Sequence, residues 1–150
     1  MIFTRISGGM GNQMFVYAAA RALSLRWKRD EIVENLPHEE YVRTMSACDI
    51  YIDQVHSHGP GVGALENMAM GKIVLTGNSP DCQQWMPFSV QSPAIHAPDD
   101  PAQLALAAED LLNRKGDYAA LAEAGRSYVS RFHGHEVVAR QFIKLWEGRL

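Results

Sequence analysis

A chain of 150 residues is one ordinary domain, long enough to bury a substantial core, and 47% apolar with 21% charged residues excludes a disordered or fibrous protein. A net charge of −3 with no long basic run gives no electrostatic reason to expect nucleic acid. Two cysteines, Cys48 and Cys82, cannot make a metal site between them, and such sparse use fits a reducing compartment. Residues 1–9 lack the apolar core of a secretion signal and no stretch approaches a membrane span, so a cytoplasmic chain is expected, with peripheral attachment to the inner membrane face left open.

Residues 2–6, IFTRI, read as a short strand that stops at Ser7. Gly8, Gly9 and Gly11 form a turn, and from Gln13 a helix places Phe15, Ala18, Ala19, Ala22 and Leu23 on one face. Strand, glycine turn and helix make a potential anion cradle at Gly9, Gly11, Asn12 and Gln13; on the plainer reading the polar turn only caps the helix. It is not the dinucleotide fingerprint, whose third glycine would fall on Met14. A charged seam, WKRDE, starts at Trp27. A short strand at residues 32–33 follows, then Pro37 opens a helix to about Cys48 with Tyr41, Val42 and Met45 as its buried stripe. Residues 49–52 read as a parallel strand whose carboxyl end feeds a glycine turn, where ligands gather in open α/β sheets.

The next fifteen residues, HGPGVGALENMAMGK from His58 to Lys72, combine that turn with a short helix and a Gly-Lys exit into the strand IVLT. Gly59 and Gly61 are expected to supply backbone conformations and close approaches that a side chain would block. The free N–H groups and positive dipole end of the helix suit a phosphate. Glu66, one turn in, is placed to accept hydrogen bonds from a pair of sugar hydroxyls. The plainer alternative is a tight βα turn with Glu66 merely solvated. After IVLT, GNSPD is a loop with strong turn chemistry, and residues 85–88 pack against the domain's edge. Residues 94–97 form the last strand. Asp100 then caps a helix with Pro101 at its first position and Gln103 in a capping-box arrangement, and Leu104, Ala107, Ala108 and Leu111 face inward. Gly116 breaks this helix and Asp117 caps the next. Residues 132–135 separate that one from a final amphipathic helix carrying Val137, Val138, Phe142, Leu145 and Trp146.

The central stretch resembles the donor-binding motif of family 4 glycosyltransferases, which have the GT-B fold. That motif has two glutamates with seven residues between them around Gly-Phe-Gly, then Ala-Met-Ala-x-Gly-Lys-Pro-Val. Here it reads H-G-P-G-V-G-A-L-E-N-M-A-M-G-K-I-V, with His58 for the first glutamate and Pro60 for the phenylalanine. The resemblance covers residues 31–147 and implies donor binding by Gly59, Pro60, Gly61, Val62 and Glu66, with Glu66 on the ribose. Asn78 and Ser79 fall in a loop near the family's bound sugar; as plain turn formers they need no such role. His58 would act as a base or contact the donor sugar, or else stands where the glutamate lost its purpose. The first 27 residues are similar to a different family: GGMGNQMFVYAAARAL resembles the amino-terminal signature of family 11 fucosyltransferases. That likeness carries Gly11, Asn12 and Gln13 to a sugar-nucleotide cleft. The superfamily's His-x-Arg-Arg grip on GDP-fucose has no counterpart, since no Arg-Arg pair occurs.

The expected architecture is therefore a single α/β domain, a Rossmann-like parallel sheet flanked by helices with a helical carboxyl terminus. Residues 1–30 would be a fucosyltransferase-like start and residues 31–150 an incomplete GT-B donor half-domain. The resemblance implies retaining transfer from a nucleotide-diphosphate sugar, in polysaccharide or glycoconjugate synthesis, with no metal or other cofactor. The family's diphosphate-gripping cations precede the matched region, and Arg5, Lys28 or Arg29 would replace them only by the accident of folding. With no acceptor domain in the chain, the expected partner is a missing acceptor domain or a second copy. A non-catalytic remnant acting as an interaction module and a GDP-fucose protein are the alternatives. Asp53, His56 and His58 are close in sequence but lack a fourth ligand and a recognised zinc spacing, and no Gly-x-Ser-x-Gly elbow occurs.

Overall fold

The computed structural model describes residues 2–4, 17–18, 37–57, 59–78, 81 and 92–149. Four strands, β1 (Ile2–Thr4), β2 (Ile50–Ile52), β3 (Ile73–Thr76) and β4 (Ile95–His96), lie in sequential order, each neighbouring pair parallel. The register sets Ile2 beside Ile50, Ile50 beside Ile73 and Leu75 beside Ile95. Helix α1 (His38–Ser46) precedes β2 and α2 (Val62–Ala69) joins β2 to β3. Three helices follow β4: α3 (Pro101–Asn113), α4 (Tyr118–Phe132) and α5 (His135–Trp146). This is the Rossmann-like α/β architecture with a helical end that the sequence implied.

Strand alternation sorts the buried residues onto two faces. Ile50, Ile52, Ile73 and Leu75 pack with Leu104, Ala108 and Leu111 of α3. Tyr51 and Val74 point the other way, against Met45 of α1, Ala64 and Met68 of α2 and Tyr128 of α4. Strands added in one direction with crossovers of one hand leave their connecting helices on one face, and α3, after the last strand, covers the other. Leu104 and Leu111 are fully buried, each contributing roughly 1.5–3 kcal/mol.

In α1 the inward stripe runs through Tyr41 and Met45, with buried Cys48 just past its end, whereas Val42 is 41% exposed. One residue's step from Tyr41 rotates it about 100° off the stripe. Burial pushes the Cys48 thiol above its ordinary range, and its Sγ donates to the Thr44 carbonyl at 3.1 Å, which makes it a structural rather than a reactive group. At the start of α3, Asp100 Oδ1 accepts from the Gln103 N–H at 2.8 Å and Pro101 is the first helical residue, as expected. Asp117 stands at the entry to α4 but its side chain makes no cap; it is held instead by Arg114, at 2.9 Å, which also reaches Asp110.

On α5, Phe142, Ile143 and Leu145 are exposed and Trp146 is 92% exposed. No helix among the described residues is long and apolar enough to cross a membrane. Tyr17 and Ala18 are helical, within the helix expected from Gln13. The rest of that helix, the strand at residues 32–33 and the edge residues 85–88 lie outside the described residues.

Candidate functional site at the carboxyl edge of the sheet

Parallel strands in this register bring their carboxyl ends to one edge. There the Asp53 N–H donates to the Leu75 carbonyl, the Gly77 N–H to Gln54 and the Ala97 N–H to Thr76, each at 2.9 Å. The Gln54 carbonyl also accepts from Thr76 Oγ1 at 3.3 Å, and Ser57 Oγ donates to the Gly59 carbonyl at 2.7 Å. The loop after β2 lies directly on Gly77, where an added Cβ would stand 1.8 Å from the Ser57 carbonyl oxygen. Only glycine fits that contact. Sequence reading passed over Gly77; a glycine immediately after a buried strand was the available signal.

Helix α2 starts at the Gly61 N-cap, whose carbonyl accepts the Leu65 N–H at 3.1 Å. Gly61 has φ −74° and ψ 175°, an extended backbone any residue adopts, and a Cβ there would make only ordinary contact with Asp53 Oδ2, at 3.4 Å. The expectation that Gly61 is needed for its conformation therefore fails. The tight approach is two residues later: a Cβ on Gly63 would come 3.1 Å from Tyr51 Oη and 3.7 Å from Asp53 Oδ1.

The first turn of α2 thus rests on a buried pair in which Tyr51 Oη donates to Asp53 Oδ1 at 3.4 Å. Asp53 is 5% exposed. Gly61 offers no side-chain cap and the first turn carries no acid, so this carboxylate is the negative charge under the helix's positive end. Sequence reading noted Asp53 only as one of a loose metal-ligand trio, because its link to α2 is tertiary. The outward face carries Val62, 72% exposed, and Glu66, four residues apart and so on one side of the helix. Glu66 is exposed and makes no ion pair with a described residue.

The far end of α2 is built differently. Gly71, at φ 76°, sits in the left-handed region that favours glycine. Its N–H donates to the Met68 carbonyl and the Lys72 N–H to Asn67, both at 2.9 Å, a Schellman closure. Lys72 Nζ then reaches back to the carbonyls of Ser46 and Cys48, at 2.8 and 2.7 Å, and so closes the carboxyl end of α1. The Gly-Lys part of the motif is consumed by the fold.

Asn78, just beyond β3, is buried. Its Nδ2 donates to the Ala94 carbonyl at 2.6 Å and its backbone N–H to His96 Nδ1 at 3.3 Å, tying the end of β3 to β4. Of the residues singled out from sequence, Gly59, Pro60, Gly61, Val62 and Glu66 share the turn and the start of α2, and Asn78 stands on the neighbouring loop. His58, Ser79, Gly9, Gly11, Asn12 and Gln13 lie outside the described residues. Tyr51, Gly63, Gly77 and His96 were not anticipated.

Fold and site together define a Rossmann-like α/β domain with its candidate site where the strands end. A family model described as glycosyl transferase-like matches residues 5–144, and the chain belongs to that family. The matched span runs across the charged seam that begins at Trp27. No curated protein matches the chain.

Proposed function

We propose that this chain is the donor-binding part of a glycosyltransferase and recognises a nucleotide-diphosphate sugar at the carboxyl edge of its sheet. The observation that carries the reading is the entry of α2. A helix start without its own side-chain cap lies one turn from an exposed carboxylate, Glu66, on the same helix. In this arrangement the N–H groups at residues 61–63 face the diphosphate from the solvent side. Glu66 accepts the ribose hydroxyls. Membership of the glycosyl transferase-like family supports the chemistry, and the spacing of the residue 58–72 motif supports its location.

The finer parts of the proposal go with it. Residues 31–150 act as an incomplete GT-B half-domain, joined near residue 30 to a fucosyltransferase-like start in which Gly9, Gly11, Asn12 and Gln13 form a second anion site. Transfer proceeds with retention and without a metal, in polysaccharide or glycoconjugate synthesis in the cytoplasm, with peripheral attachment to the inner membrane face left open. His58 serves as base or sugar contact, and Asn78 and Ser79 line the sugar end. The acceptor is held by a separate domain. Calorimetry of the chain with nucleotide sugars tests the core of this: Glu66→Ala should weaken binding by about 1–3 kcal/mol, the loss of a charged hydrogen bond. Wild-type affinity in that variant would sink the assignment.

A second reading, an association module, is favoured by the exposed Phe142, Ile143, Leu145 and Trp146 on α5. Sedimentation that finds a monomer at high concentration would count against it.

A further inference from the structure

We infer that His96 is a ligand-contacting residue of the same site, its Nε2–H donating to an oxygen of the nucleotide sugar. The inference rests on the donor-binding reading and adds a residue that reading does not contain. A backbone N–H can only donate, so the bond from Asn78 to His96 Nδ1 leaves that nitrogen without a proton and puts the ring's proton on Nε2. Asn78 is itself locked by the Ala94 carbonyl, so the imidazole is held by a fixed partner although it is exposed.

Its position matches the site. His96 ends β4 and pairs in register with Thr76. Its neighbour Ile95 packs toward the α3 face, so alternation puts His96 on the opposite face of the sheet, the one α2 covers. Two strand spacings separate β4 from β2, roughly 10 Å, a span that a bound sugar diphosphate bridges. The path between them is continuous: His96 holds Asn78, Gly77 lies under Ser57, and Ser57 Oγ holds the Gly59 carbonyl. An oriented donor on an exposed ring at this edge is hydrated, and a ligand oxygen can take the place of that water.

Two substitutions separate the two nitrogens. His96→Asn sets an oxygen near the place of Nδ1, keeps the Asn78 bond and loses the outward donor. His96→Gln retains a donor near Nε2 and gives up the inner bond. The probes are UDP, GDP, ADP and their glucose esters, titrated into the full chain by calorimetry beside chemical unfolding of each variant. His96→Asn is expected to unfold like wild type and bind about tenfold more weakly, while His96→Gln recovers most of the affinity at some cost in stability. A loss seen with the nucleoside diphosphate alone assigns the contact to phosphate; a loss confined to the glucose ester assigns it to the sugar. Wild-type affinity in His96→Asn, with Glu66→Ala still impaired, would overturn this inference alone. A wild-type chain that binds none of the probes would overturn the donor reading and this inference with it.

Discussion

At its exit α2 is closed by the left-handed Gly71, by two backbone bonds and by Lys72 reaching across to α1. At its entry Gly61 contributes no cap, Val62 stands in solvent and the nearest compensating charge is borrowed from Asp53 on the preceding strand's loop. Both ends belong to one fifteen-residue stretch whose spacing looks uniform in sequence. Such spacing satisfies two demands at once. The exit residues fix the helix between α1 and α4, and the entry residues leave backbone donors and one carboxylate uncommitted at the edge where ligands of such sheets bind.

The contrast can be broken by substitutions whose effects should fall in a definite order. Gly77→Ala should cost most, about 3 kcal/mol in denaturant unfolding, because its Cβ would meet the Ser57 backbone rather than a movable side chain. A loss well under 1 kcal/mol would show that the loop after β2 does not rest on β3 as described. Lys72→Met keeps the aliphatic stem but strips two carbonyls of their charged donor, and should cost about 2 kcal/mol.

A smaller effect is expected from acid at the wall that α4 presents to α2. Burial holds His133 below its ordinary value, and its ring lies 5.3 Å from that of Tyr128. The unfolded chain therefore binds this proton more tightly than the folded one. The contribution is complete above the unfolded histidine range and is lost as pH falls toward the folded value. Unfolding followed from about pH 7 to about pH 5 should show a stability loss that His133→Gln reduces; an unchanged pH profile in that variant would refute it. Least of all, Glu66→Ala should leave stability within about 0.5 kcal/mol of wild type, since its carboxylate is exposed and unpaired among the described residues. A large loss there would move Glu66 to the structural side of the comparison.

Much of the fold was legible because it depends on local pattern. The apolar runs of β2 and β3 lie between turn residues, and the Asp100, Pro101, Gln103 cap spells out the start of α3. The central helix was placed correctly for the same reason. Misreadings came where a contact joins residues far apart in sequence. Within the motif the glycine under close packing is Gly63, set by Tyr51 beneath it, and nothing in the local spacing of Gly59 and Gly61 reveals that. Lys72 looked like part of a ligand motif, yet its partners are 24 and 26 residues earlier. Asp117 had the right place for a cap, but Arg114 holds its carboxylate. The candidate site was read from neighbours in sequence, the glycine turn and Glu66, whereas His96 reaches the same sheet edge only through strand pairing.

Binding of a nucleotide-diphosphate sugar at the entry of α2 is tested most directly by thermal unfolding of the chain with and without UDP, GDP, ADP and their sugar esters. A ligand at about a hundred times its dissociation constant stabilises the folded state by about 2.7 kcal/mol, a visible rise in the transition. One cooperative transition should be raised by one base and its sugar, with the rise diminished in Glu66→Ala; GDP as the base would support the fucosyl alternative. A cooperative transition that no nucleotide moves would contradict such binding.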